Sequence, residues 1–157
     1  LRRPTIVANP PEGPDVRDWP FVKTVVDDFS ILPEWGRLMA SPVDEVESEP
    51  GDAQPEEYDL ALAAWKVERY TTLPVARIAH RWAGLRTFTA DRTPVAGFDP
   101  VAPGFFWLAG PGGFGLQAAP PMAEAVEALA TGGAWPEALS QSGVAPGNLG
   151  PERLFTP

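Results

Sequence analysis

The sequence predicts an α+β fold: an antiparallel sheet with helices, followed by a strand–glycine turn–helix segment. Three observations predict it. Short β-branched and aromatic runs near the start are separated by Pro- and Gly-rich turns, the pattern of antiparallel strands. Two longer stretches carry apolar residues at helical spacing. A wholly apolar run, Phe105 to Ala109, then passes through clustered glycines directly into the second of these stretches.

Pro4 to Ala8 reads as a short strand, and Asn9-Pro10-Pro11-Glu12-Gly13-Pro14 ends it with residues that cannot continue a ladder. Phe21 to Val26 is β-branched and aromatic and reads as a second strand. Phe29-Ser30-Ile31-Leu32 and Arg37-Leu38-Met39-Ala40-Ser41 form a hairpin around a four-residue loop, Pro33-Glu34-Trp35-Gly36. From Pro42 to Gln54 the chain is acidic, with Asp44, Glu45, Glu47, Glu49 and Asp52; this reads as a solvated loop, since it lacks the Asp-x-Asp-x-Asp-Gly spacing of a cation site.

Pro55-Glu56-Glu57 opens a helix whose acidic first turn suits the macrodipole, and Leu60, Ala61, Ala64, Trp65 and Val67 supply an apolar stripe, read as core, up to Tyr70. Val75 to Trp82 and Pro94 to Phe98 read as strands, and Phe105 to Ala109 as a strand buried on both faces. Residues 116–130 read as a helix with Leu116, Met122, Val126 and Leu129 on its apolar side, ended by Gly132-Gly133. Ala134 to Pro157 reads as short turns with room for one helical turn. There is no internal repeat.

Composition narrows the function. With 157 residues the chain has the length of one ordinary domain. Acidic residues outnumber basic ones by 21 to 12, giving a net charge of −9 that repels phosphate backbones and anionic lipid. Nucleic acid and membrane are therefore not expected as partners. The absence of cysteine removes disulfides, thiolate metal sites and a Cys nucleophile, and fits a cytoplasmic location. One histidine, His80, excludes a His-rich metal centre; it reads as an ordinary strand residue. The apolar runs are too short to span a bilayer. The chain begins at Leu1 without Met, as expected of a processed chain or a fragment.

The chemistry concentrates in Phe105-Phe106-Trp107-Leu108-Ala109-Gly110-Pro111-Gly112-Gly113-Phe114-Gly115-Leu116-Gln117. A strand that turns through glycines into a helix points amide N–H groups and the positive end of the helix dipole at one place, and so makes an anion site. Gly110, Gly112 and Gly115 satisfy G-x-G-x-x-G, yet no second parallel strand with an acidic residue follows, so a Rossmann start is not expected. A glycine-rich turn without a ligand is the plainer alternative for this segment alone.

A second segment, His80-Arg81-Trp82-Ala83-Gly84-Leu85-Arg86-Thr87-Phe88-Thr89-Ala90-Asp91-Arg92-Thr93-Pro94-Val95-Ala96-Gly97, joins two of the strands. The order W-A-G-L-R, D-R-x-P-V-x-G and P-G-F-F-W-L-A-G-x-G-G-F-G-L-Q closely resembles the C-terminal portion of the D-amino-acid oxidase and glycine oxidase family of FAD-dependent oxidoreductases. The tight match covers about residues 80–130; the earlier hairpin and 149–154 fit more loosely.

The resemblance implies that residues 1–75 belong to an antiparallel-sheet substrate domain. It also implies that 76–133 return to an α/β FAD-binding domain and that 134–157 are a C-terminal tail. FAD is the implied cofactor, a small amino acid or amine the implied substrate, and hydride transfer from a C–N carbon the implied reaction. The N-terminal βαβ unit that holds the ADP half of FAD has no counterpart here. The implied partner is therefore that missing segment, or a chain supplying it; a homodimer is compatible with the sequence. The alternative is a non-catalytic interaction subunit or module derived from the family.

By the same resemblance Arg86 matches the arginine that pairs with the substrate carboxylate, a role suited to a planar guanidinium. Gly110 and Gly112-Gly113-Phe114-Gly115-Leu116-Gln117 match the turn and helix start that face the flavin pyrimidine ring. Arg81, Asp91 and Arg92 read as structural. Two departures are plain. Ser30 stands where relatives acting on D-amino acids often carry a substrate-contacting tyrosine, and Pro111 stands where Gln or His is common, removing a side chain and an N–H. Substrate and electron acceptor stay open.

Overall fold

Ile6 is fully buried, and the strand around it organises the first half of the chain. The structure, a computed structural model, describes residues 1–13 and 15–155; Pro14 of the expected first turn and residues 156–157 of the tail lie outside them. The chain forms two units, Leu1–Leu85 and Arg86–Pro157, in an α+β architecture with antiparallel sheets.

In the first unit β1 (Arg2–Ala8), β2 (Val22–Lys23), β3 (Ser30–Glu34), β4 (Arg37–Ser41) and β5 (Ile78–Leu85) make a five-stranded sheet of order β2-β3-β4-β1-β5. Ile6 pairs with Ala40 on one side and Arg81 on the other, and Ile31 also pairs with Ala40. Because directly opposed residues share a face, this register puts Ile6, Ile31 and Ala40 on one side. Against them packs α1 (Glu57–Tyr70) through Leu60, Ala63 and Val67, with Phe29, Val16 and Leu38 completing the core.

Asp59, 1% exposed, closes the start of this helix by accepting the Glu56 amide at 2.8 Å, and Arg2 neutralises it at 3.2 Å. The buried helical stripe is thus Leu60, Ala63 and Val67. Ala61 and Trp65, expected in the core, face away from it: four apart, they share a side of the helix more than a quarter-turn from Leu60, Ala63 and Val67, and the sheet meets only the latter side.

Three other expectations change. The strand expected over 21–26 is only Val22–Lys23, because Thr24 takes its hydrogen bonds into a turn: its hydroxyl oxygen accepts the amides of Asp28 and Phe29. The hairpin loop is two residues, not four. Trp35 and Gly36 both have positive φ, 52° and 74°, the signs of a type I′ turn that matches strand twist, so Pro33 and Glu34 remain in the ladder opposite Leu38 and Arg37. The strand expected from Val75 begins at Ile78 instead, since the Leu73 amide donates to Thr71 and the Val75 amide to Glu68, holding this stretch to the end of α1.

The second unit pairs β6 (Val95–Phe98) with β7 (Phe106–Ala109), over which lies α2 (Gly115–Thr131). Ala96, Ala125 and Leu149 form its buried centre, with Phe106, Met122, Val126 and Trp135 packed around them. β7 is not buried on both faces: Leu108 is 62% exposed, because it borders an open groove alongside α2 rather than packed side chains. The tail is more helical than expected, with α3 (Glu137–Gln141), α4 (Pro146–Leu149) and a 3₁₀ turn over Pro151–Leu154. That turn seats Pro151 against Gly97 so closely that a Cβ on the glycine would lie 2.8 Å from the proline ring.

Candidate functional site

The glycine turn begins where β7 stops. Gly110, with φ 67°, breaks the strand, and the Phe114 amide donates to the Pro111 carbonyl at 3.2 Å, closing a tight bend over Gly112 and Gly113. Phe114 is the first flanking residue of α2 and provides no side-chain cap. The amides of Gly115, Leu116 and Gln117 have no carbonyl four residues earlier within the helix to receive them, so the helix presents donors at this end. Gly113, Phe114, Leu116 and Gln117 are exposed, Gly112 and Gly115 half-buried, and Gly110 is buried. The apex of the bend therefore faces outward.

What holds the bend is the segment that follows β5. Gly112 donates its amide to the carbonyl of Thr87 at 3.0 Å. Phe88 lies under Gly112, where a Cβ would come within 2.8 Å of the ring, and Thr89 lies under Gly110, where a Cβ would come within 2.9 Å of its methyl. The glycines at 110 and 112 are thus required by this chain's own packing, and φ 59° at Gly112 adds a second requirement. Arg86, half-buried, directly precedes Thr87. The two motifs that stood apart in the sequence meet here, with the arginine one residue from the hydrogen bond that anchors the turn.

Ser30 lies in the first unit, half-buried on β3 opposite Ser41 and Lys23, on the side of the sheet away from Ile31. His80 sits on β5 opposite Val7 and is exposed. Asp91 organises its loop, as the reading of it as structural requires. Its Oδ1 accepts from the Thr89 hydroxyl and the Thr93 amide, and its Oδ2 takes Arg153 at 2.7 Å. The Arg153 guanidinium, then the Thr93 amide, hold this carboxyl down to about 2. Arg92 lies over the Phe88 ring at 5.1 Å. Asp99 is held below the usual carboxylate range by the Trp107 indole N–H, 2.8 Å away, and by the amides of Ala102 and Val101.

Sequence reasoning missed Arg153, which also donates to the carbonyls of Thr93, Pro94, Leu149 and Gly150. No spacing signal connects it to a loop sixty residues earlier. It also missed Phe88 and Thr89 as the floor of the turn; a large residue just after the arginine was the available clue. Among the described residues no group of three or more His, Cys, Asp or Glu is placed to hold a metal ion, and no helix is long and apolar enough to cross a membrane.

The donor set at this turn suits a ligand that carries or develops negative charge, and the model of the DAO family, described as FAD dependent oxidoreductase, matches residues 2–129. The chain belongs to this family. FAD is the cofactor of the family, and the amides at the α2 start, without a side-chain cap, are donors of the kind that its acceptor atoms need. Solved structures that share the fold of this chain include the following two. Iminodiacetate oxidase from Chelativorans sp. BNC1 aligns with TM-score 0.69 at 15% identity over 89% of this chain. L-proline dehydrogenase from P. horikoshii aligns with TM-score 0.65 at 19% identity over 91%. The chain spans 38% and 40% of those proteins' own lengths.

Proposed function

We propose that this chain supplies the substrate-anchoring arginine and the flavin-facing turn of an FAD-dependent enzyme that oxidises the C–N bond of an amino acid or related amine. The rest of the FAD site is supplied by residues outside these 157. The observation that carries this reading is the hydrogen bond from Gly112 to Thr87, which seats the turn beside the segment of Arg86.

In this reading Arg86 grips the substrate carboxylate through parallel N–H donors and so orients the carbon to be oxidised. The amides at the start of α2 stabilise the charge that appears as the reaction proceeds. FAD, when bound, would supply the two-electron acceptor that turns the C–N bond into a hydrolysable imine, and the Gly112–Gln117 turn would be the part of this chain that faces it. By the resemblance, Ser30 carries a hydroxyl where relatives acting on D-amino acids often carry a tyrosine, which favours a substrate that needs no phenolic donor.

The apolar groove of about 540 Å³ on α2 supports the same reading. It is lined by Leu108, Pro111, Ala119, Met122 and Ala123, small and greasy side chains suited to being covered by the remainder of a flavin domain rather than by water.

The test is steady-state kinetics of the complete enzyme on carboxylate-bearing amines. Arg86→Ala is expected to raise KM for such substrates by about a hundredfold, with Arg86→Lys recovering part of the loss. Unchanged turnover and KM in Arg86→Ala would overturn the assignment and point to a non-catalytic interaction module.

A further inference from the structure

The helix α1 has a second face that the core does not use. Opposite Leu60, Ala63 and Val67 it exposes Glu57, Ala61, Trp65 and Arg69, one every four residues, with Trp65 56% exposed. An i, i+4 row is the ridge by which helices in globular proteins most often interlock. The exposed indole between an alanine and an arginine offers apolar area that a partner surface would remove from water. Among the described residues neither Glu57 nor Arg69 makes an ion pair, and both are exposed.

The order of the row is its own complement. Reversed about Ala63, Glu57 falls opposite Arg69 and Ala61 falls opposite Trp65. Two copies of the helix laid antiparallel therefore match acid to base at both ends and indole to methyl at both inner positions. Symmetry doubles every contact, as a twofold interface requires.

We propose that this face of α1 is the surface through which two copies of the chain associate. Trp65 of each copy seats on Ala61 of the partner subunit, and Glu57 pairs with Arg69 of the partner subunit at either end. The two indoles supply the buried centre and the charges fix the antiparallel direction, the division of labour common in small interfaces. A single helix face buries less than a standard interface, so the dimer is expected to be a weak, reversible one. The inference is independent of the flavin reading.

Sedimentation equilibrium of the full chain, supported by light scattering across a concentration series, tests it. The unaltered protein is expected to pass from monomer to dimer with rising concentration. Glu57→Arg or Arg69→Glu alone is expected to weaken the dimer about tenfold, since each makes like charges meet twice. The double reversal Glu57→Arg with Arg69→Glu is expected to restore affinity to within roughly threefold, because the acid and base have only changed places. Trp65→Ala is expected to leave a monomer. Circular dichroism of each variant checks that the helix is intact, and the double reversal serves as the second variant should a single one fold poorly. A wild-type chain monomeric at every concentration, a dimer indifferent to the single reversals, or a double reversal no tighter than the weaker single would each overturn the proposal.

Discussion

Arg153 joins two stretches of chain with one side chain. Its guanidinium binds the Asp91 carboxylate and the carbonyls of Thr93, Pro94, Leu149 and Gly150, while its own side chain is 17% exposed. Truncation leaves those carbonyls without their donor, and hydrogen bonds to a charged group are among the stronger ones. Arg153→Ala is therefore expected to lower stability by about 2 kcal/mol, measured as a shift of the urea midpoint at constant slope. Asp91 adds a pH dependence. Its folded value lies near 2, below the ordinary 3.8, so its contribution is fully present above about pH 4 and fades as pH falls towards 2. The stability gap between the wild type and Asp91→Asn is expected to narrow over that window in urea titrations. A gap that widened there would contradict the ion pair. At the same scale, the resemblance picks out Arg86, whereas Arg153 left no trace in local spacing; a contact across sixty residues is a property of the folded chain.

At the scale of elements, two turns hold residues in backbone states that L side chains resist. Gly112 combines φ 59° with a ring beneath it, so Gly112→Ala meets both the left-handed backbone and the Phe88 ring at 2.8 Å. A loss of about 2 kcal/mol is expected, with FAD-dependent activity falling alongside it; thermal melting and turnover of the complete enzyme check the pair of effects. Trp35 is the opposite case, a large residue at φ 52° and 95% exposed, where asparagine is the usual occupant. Trp35→Asn is expected to raise stability by about 1 kcal/mol, seen as a higher melting temperature.

Trp35-Gly36 also shows why part of the architecture was legible and part was not. The alternation over 29–41 announced a hairpin, but Pro33 and Glu34 look like loop residues and became strand, because a two-residue turn fits strand twist better than a four-residue loop. Helix α1 was legible to within two residues at its start and at its end from its proline, acidic first turn and spacing. Its exposed row was not, since alanine and tryptophan read as core wherever they recur helically. β7 misled for a related reason. A run without polar residues says that a strand is meant to be covered, not by which residues.

For the whole molecule, the second unit has a slender interior. Its buried centre is Ala96, Ala125 and Leu149, ringed by half-covered side chains, and Leu116 at the head of α2 is 95% exposed. Such a unit gains from being covered, which agrees with the proposal that further residues complete the flavin site. Titration of the isolated chain with FAD is accordingly expected to show weak binding, read from the visible absorption that remains after gel filtration. Stoichiometric retention of yellow cofactor would show that these 157 residues suffice. The lack of cysteine leaves no thiolate for metal chemistry, but composition says nothing about how many residues a cofactor needs.

The seat of Pro151 on Gly97 has a consequence for biosynthesis. Residues 95–98 are made early in the second unit, and the residue that caps them follows more than fifty positions later. During translation β6 must wait, one edge paired with β7 and the space above Gly97 open to water, until the 3₁₀ turn emerges and the Arg153 latch closes. A nascent chain halted before that turn would offer proteases β6 with the space above Gly97 open, whereas one extended past it would have Pro151 seated there.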